Sequence, residues 1–155
     1  MRNPNIKLMK RFPYLTAFLL CLLVMASCGD SGSDDPTPDA ATFRVDIQQT
    51  GEHEKFIKAI SLSGGEFYRT GTQEEMPTIL YDEDLTGPSY SYEAEGVREL
   101  NILTTVGFSP VDEAPANMGL KISVYRNGQL LDATTYTYTE ESDSVQDNLT
   151  YKAND

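Results

Sequence analysis

The side chains of this 155-residue chain that could carry chemistry are few and scattered. Its one histidine, His53, lies between Glu52 and Glu54. Nucleophilic catalysis needs an imidazole beside a serine or thiol and held by a third group. No serine sits in a G-x-S-x-G turn, and the two cysteines, Cys21 and Cys28, both fall near the N-terminus. A structural zinc site needs a full set of Cys and His ligands, which His53 alone does not supply. Asp82-Glu83-Asp84 offers hard oxygens from one loop, so Asp82 and Asp84 are calcium candidates. Against that stand the missing glycine and distal glutamate of an EF-hand loop, and the ease with which acids cluster in so acidic a chain. A glycosidase pair needs a defined separation and one raised pKa, and the 24 carboxylates specify neither. Tyr90 with Tyr92, and Tyr136 with Tyr138, recur two residues apart, which puts both rings of a pair on one strand face. Such rings suit a sugar or a protein partner, or simply pair across an outer sheet surface. The expectation is a non-enzymatic protein without a cofactor.

Cys28 has more definite chemistry. Arg2, Lys7, Lys10 and Arg11 precede the apolar run Leu15–Ala26, and small residues follow, the three parts of a secretory signal. As a helix that run reaches roughly 18 Å, short of a hydrocarbon core about 30 Å thick. Val24-Met25-Ala26-Ser27-Cys28 resembles the lipobox of bacterial lipoproteins, with Met25 where leucine is commonest. The resemblance implies removal of residues 1–27 and attachment of lipid to Cys28, which becomes the new N-terminus. Several acyl chains together make a stable anchor where one is marginal.

Residues 28–41 then hold Asp30, Asp34, Asp35 and Asp39 among Gly, Ser and Pro, with nothing to bury, and read as an unfolded tether. Residues 29–41 would reach roughly 43 Å if extended. A cysteine soon followed by acids resembles the surface-export signal of lipoproteins in gut-dwelling Gram-negative anaerobes. It implies display on the outer-membrane surface; the alternative is the periplasmic face. Four of the 12 Lys and Arg and none of the 24 Asp and Glu precede Cys28, so cleavage takes the formal net charge from −12 to −16. A chain that acidic repels phosphate backbones, which excludes nucleic acid as a partner.

What must position these side chains is a set of strands, over residues 42–155. Phe43, Val45 and Ile47 alternate with polar residues, and Phe56, Lys58, Ile60 and Leu62 follow at period two. HEKFIKAISL also fits a short helical face, but it stops at Gly64-Gly65 without a cap, and strand is preferred. Short strands follow at 67–69, 79–81 and 90–92, the last read as an edge or solvent-facing strand, and a longer one at Leu100–Val106. Residues 107–117 read as loop. Leu120, Ile122 and Val124 lead into Asn127-Gly128, which suits a two-residue type I′ hairpin turn. The strand then returns over 130–139, and another lies near Leu149 and Tyr151. With both cysteines lost or lipidated, no disulfide braces the domain, so a hydrophobic core must. The pattern predicts an all-β, antiparallel β-sandwich of about seven strands, with an immunoglobulin-like or transthyretin-like look. A partly open barrel is the runner-up.

Asp143-Ser144-Val145 resembles the O-glycosylation sequon of exported proteins in the same anaerobes, which makes Ser144 a candidate glycan site. The functional expectation is a lipid-anchored surface module that binds a protein or glycan. The alternatives are a periplasm-facing structural or envelope-stress protein and, behind it, a small hydrolase. Replacing Cys28 by alanine should leave a precursor that is neither lipidated nor cut at this site. Metabolic labelling with a palmitate analogue checks it, and a labelled, membrane-bound Cys28→Ala product would refute the anchor.

Overall fold

The computed structural model describes residues 40–154. The signal segment, Cys28 and the tether up to residue 39 lie outside them. The alternating stretches become strands because each has one apolar face to bury. Their order is β1 (Ala41–Gly51), a 3-10 turn (His53–Lys55), β2 (Phe56–Ser63), β3 (Tyr68–Arg69), β4 (Leu80–Tyr81), β5 (Ser89–Val97), β6 (Glu99–Phe108), β7 (Asn117–Arg126), β8 (Gln129–Thr139) and β9 (Val145–Lys152). They pair antiparallel into a five-stranded sheet, β3-β5-β1-β7-β8, and a four-stranded sheet, β4-β2-β6-β9. The sheets pack as a sandwich and do not close into a barrel. No helix among the described residues is long and apolar enough to cross a membrane.

Among the described residues nine strands form, the two-residue β3 and β4 adding to the expected count of about seven. The ambiguous HEKFIKAISL stretch divides into the 3-10 turn and β2. Its helical face would have buried Ile57, which is 52% exposed. Ala41, assigned from sequence to the tether, is the buried first residue of β1 and pairs with Val97. β6 runs on to Phe108, so the following loop is shorter than the sequence suggested.

Phe43, Val45 and Ile47 of β1 meet Met118, Leu120, Ile122 and Val124 of β7 on one inner face. Phe56, Ile60, Leu100, Ile102 and Val106 supply the other. Two irregularities keep the inward series in step. Between Ala41 and Phe43 the register to β5 jumps from Val97 to Ala94, so one extra residue bulges at Glu95-Gly96, where Gly96 takes φ +70. On β8 the jump from Asp132 to Leu130 leaves Leu131 extra. The β7–β8 turn has φ 51 at Asn127 and 80 at Gly128, as a type I′ turn requires. Asn127 also fastens the turn to β1, its amide donating to Thr42 O and its Oδ1 accepting from Thr42 N.

Leu120 is fully buried on the inner face of β7. Leu120→Ala should therefore destabilise the domain by about 2–5 kcal/mol. Thr135→Ala, on the exposed face of β8, should stay within about 0.5 kcal/mol. Urea unfolding followed by circular dichroism measures both, and equal losses would mean that the inner face is misassigned.

Candidate functional site

The register decides where the four candidate tyrosines point. Tyr90 and Tyr92 of β5 pair with Ile47 and Val45, while Tyr136 and Tyr138 of β8 pair with Leu120 and Met118. Directly paired residues share a sheet face, so all four face the core. Tyr92 is 3% and Tyr138 4% exposed, while Tyr90 and Tyr136 are half-buried against the same core. The pairs are also three strand spacings apart, roughly 14 Å. They form no solvent-facing patch, which corrects the sequence expectation. In Thr- and Ser-interrupted strands the larger, mostly apolar ring turns inward and the hydroxyl residue outward. Tyr136 and Tyr138 stack with centroids 6.3 Å apart, and the Tyr151 hydroxyl donates to Asp132 Oδ2 at 2.7 Å. That bond holds the Asp132 carboxyl below its usual range, helped by the Ala133 amide.

Asp82 and Asp84 serve the turn that carries them. Asp84 Oδ2 accepts from the Tyr81 amide at 3.0 Å, and Asp82 Oδ1 accepts from the Lys58 amide of β2 at 2.6 Å. Lys58 Nζ lies 3.8 Å from the same Asp82 oxygen. The structure therefore joins Asp82 to Lys58, a residue already visible in the sequence as the one cation within an apolar, period-two series. His53 is half-buried in the 3-10 turn, with Nδ1 unpartnered and its carbonyl accepting from Lys58 Nζ. Ser144 is exposed just before β9, open to modification and touching none of the other candidates.

One surface feature had no periodic signal. Beside β3, the loop 69–74 folds over β5 and leaves an open hollow of about 590 Å³, bordered by Glu66, Tyr68, Arg69, Thr72, Glu93 and Glu95. The loop is held by its own bonds. Arg69 N donates to Glu74 O at 2.8 Å, the Thr72 hydroxyl donates to Arg69 O at 2.9 Å, and Gly71 takes φ +77. Thr70 and Ser91 hydroxyls meet at 2.8 Å, and Ser91 donates onward to Asp46 Oδ1 at 2.6 Å. The Tyr68 ring is 36% exposed and its hydroxyl donates to Glu66 Oε2 at 3.3 Å. The Glu66 charge raises the Tyr68 pKa. Arg69 is engaged by Glu74 at 3.0 Å, so carboxylate and hydroxyl oxygens dominate the hollow.

Fold and surface together define a small two-sheet β-sandwich with a polar hollow at one edge. A sequence family described as PLAT/LH2 and C2-like Ca2+-binding lipoprotein matches residues 10–152, and the chain belongs to that family. This makes it a membrane-anchored envelope lipoprotein, on the antiparallel β-sandwich plan that the sequence predicts, a fold the family's description calls PLAT- and C2-like. Among solved structures it resembles the calcium-bound form of a protein from Parabacteroides distasonis, studied by NMR. That match has 24% identity and a TM-score of 0.58, and covers 72% of this chain and 92% of the other. A domain of unknown function from Bacteroides vulgatus matches at 12% identity and TM-score 0.59, over 73% and 94% of the two chains. A protein of the same domain family from Bacteroides ovatus matches at 11% and 0.59, over 75% and 98%. At these identities the likeness is one of fold. Among curated proteins nothing matches the chain.

Calcium takes about six to eight oxygens, several of them carboxylate. Among the described residues no three acidic, histidine or cysteine side chains converge to hold an ion. The acidic triplet has already committed one oxygen of Asp82 to Lys58 and one of Asp84 to Tyr81. The residues present do not make a calcium cage there.

Burial, with the Asp147 charge behind it, pushes the Tyr138 phenol up to about 12. The fold favours the neutral phenol, so this contribution to stability is full below the unfolded pKa of about 10 and is lost as pH rises through the folded value. Tyr138→Phe should therefore flatten the fall in melting temperature between about pH 10 and 12. Thermal melts across that range decide it, and an unchanged alkaline slope would contradict the burial of this hydroxyl.

Proposed function

We propose that this lipoprotein is a non-enzymatic binding module, held by lipid on Cys28 and displayed on the outer-membrane surface, whose ligand is a neutral glycan seated in the hollow beside β3. The observation that carries the reading is the make-up of that hollow. Sugar hydroxyls are donors and acceptors together, and Glu66, Glu93, Glu95 and Thr72 offer them oxygens, while the Tyr68 ring offers an apolar face. An anionic ligand would meet carboxylates and a single guanidinium already paired with Glu74. The site thus uses a different tyrosine from the four first singled out. Surface display draws support from the acidic residues after Cys28.

A second reading, a structural role through a protein partner on the periplasmic face, is favoured by the free edge of β8. Ala133–Thr139 carries no charge, proline or glycine. Glu140 N donates to Ala116 O on the β7 side, whereas Thr139 N turns to Ser142 Oγ. By the alternation of an antiparallel ladder, Thr135 and Thr137 then direct their amides away from β7, where an added strand could pair.

A glycan array probed with the detergent-solubilised lipoprotein, and protease shaving of intact cells, test the two. Expected is binding to neutral polysaccharide that Tyr68→Ala weakens about tenfold or more, roughly 1.4 kcal/mol, with cleavage of the protein in intact cells. An array without signal, together with protection from protease and capture of a periplasmic protein that Thr137→Pro abolishes, would replace the first reading by the second.

A further inference from the structure

Lys58 occupies a position that a lysine rarely holds. It stands on β2 between the buried Phe56 and Ile60, faces the interior with them, and is only 3% exposed. Lysine is almost never this buried unless its ammonium is paired. Here Nζ donates to His53 O at 2.6 Å and to Phe56 O at 2.9 Å, and lies 3.8 Å from Asp82 Oδ1. Three oxygens from the 3-10 turn, the start of β2 and the loop after β4 converge on one cation. Burial pushes its pKa down, and the charges of Asp82 and Glu54 push back. Two carbonyls and a carboxylate are oxygen donors of the class a hard cation takes, though only three where calcium takes about six to eight, and the Asp82 side chain is itself half-exposed. Asp82 closes the arrangement twice, since the oxygen facing Nζ also accepts the Lys58 backbone amide.

We infer that Lys58 Nζ is the resident cation of an internal oxygen site formed by His53 O, Phe56 O and Asp82 Oδ1, so that this corner of the sandwich is closed by a tethered ammonium and needs no free metal ion. The site's ligand class is a small hard cation, and the chain carries its own. This accounts for the misfit between a family described by calcium and an acidic triplet that forms no cage. One oxygen of the triplet is already neutralised by the lysine, and the tether holds 3-10 turn, β2 and loop together at any calcium concentration. The inference is independent of the glycan reading.

The detergent-solubilised lipoprotein tests it. The wild-type melting temperature should be the same in millimolar calcium chloride and in EDTA. Lys58→Ala, which empties the site, should melt lower by roughly 10 °C or more, and millimolar calcium or methylammonium should recover part of the loss. Lys58→Met, which fills the space with an apolar chain, should melt lower without recovery. A wild type that calcium stabilises would overturn the inference, as would Lys58→Ala melting like the wild type or losing stability that neither cation restores. Should Lys58→Ala not fold, NMR of the wild type decides. The Lys58 ammonium protons should exchange far more slowly than those of exposed lysines, with no change on adding calcium; exchange at the exposed rate would count against the site.

Discussion

The domain depends on the face-to-face packing of two sheets, because its sequence offers nothing else to hold them. Both cysteines precede the described residues, so no disulfide joins β1 and β7 to β2 and β6. Stability comes from removing the inner faces from water, at roughly 25 cal/mol for each Å² of apolar surface. That demand explains features that otherwise look unrelated. The bulge at Glu95-Gly96 lets both Ala94 and Val97 face inward, and the extra Leu131 keeps Asp132 and the tyrosines after it in phase with β7. Four tyrosines turn inward because sandwich edges need wide side chains, and hydroxyls that reach the rim find polar partners, whereas that of Tyr138 is buried without one. Tyr151 finds Asp132, and Tyr90 accepts from the Gly87 amide.

Sheet edges are the second constraint on such a fold, since each exposes unpaired backbone groups. Three of the four are blunted. β3 and β4 are two residues long, and β9 carries Asp147 on the interior side, between Val145 and Leu149. On β8 the N-terminal half has a bulge and the inward Asp132, but the stretch beyond has neither. Asp132 and Ser142 still occupy the amides at its two limits, Ala133 and Thr139. The open edge is thereby reduced to a short central piece, long enough for a partner strand to find and too short to template a sheet of copies.

Much of this was legible in the sequence, and what was not has a common cause. Period-two alternation located β1, β2, β6 and β7, and Asn127-Gly128 located the β7–β8 turn, because each depends on residues adjacent in the chain. Lys58 was legible in part, standing in phase with Phe56, Ile60 and Leu62, yet its partners on the turn and the loop after β4 could not be read from spacing. The tyrosines were misread because Tyr alternating with Ser or Thr leaves two faces of similar polarity. Only the pairing of Tyr92 with Val45 and of Tyr138 with Met118 breaks the tie. The hollow was invisible for a related reason, since Glu66 and Tyr68 meet Glu93 and Glu95 across β3 and β5, some 25 residues apart in the chain.

The placement of charge follows the same division between inside and outside. A domain this acidic repels itself, and most of its carboxylates are spread over exposed outer positions where water screens them. Two carboxylates at the margin of the interior have a dedicated donor, Lys58 for Asp82 and Tyr151 for Asp132. Both donors come from a different strand, so each pairing also fixes a loop or an edge to the body of the sandwich. The hollow beside β3 is the exception, with Glu66, Glu93 and Glu95 around an exposed ring and one paired arginine. A rim of carboxylate oxygens left without cations suits a partner rich in hydroxyl donors. An open hollow of this kind holds a ligand weakly by itself; on the proposed reading, many copies confined to one membrane surface supply the avidity that a single site lacks.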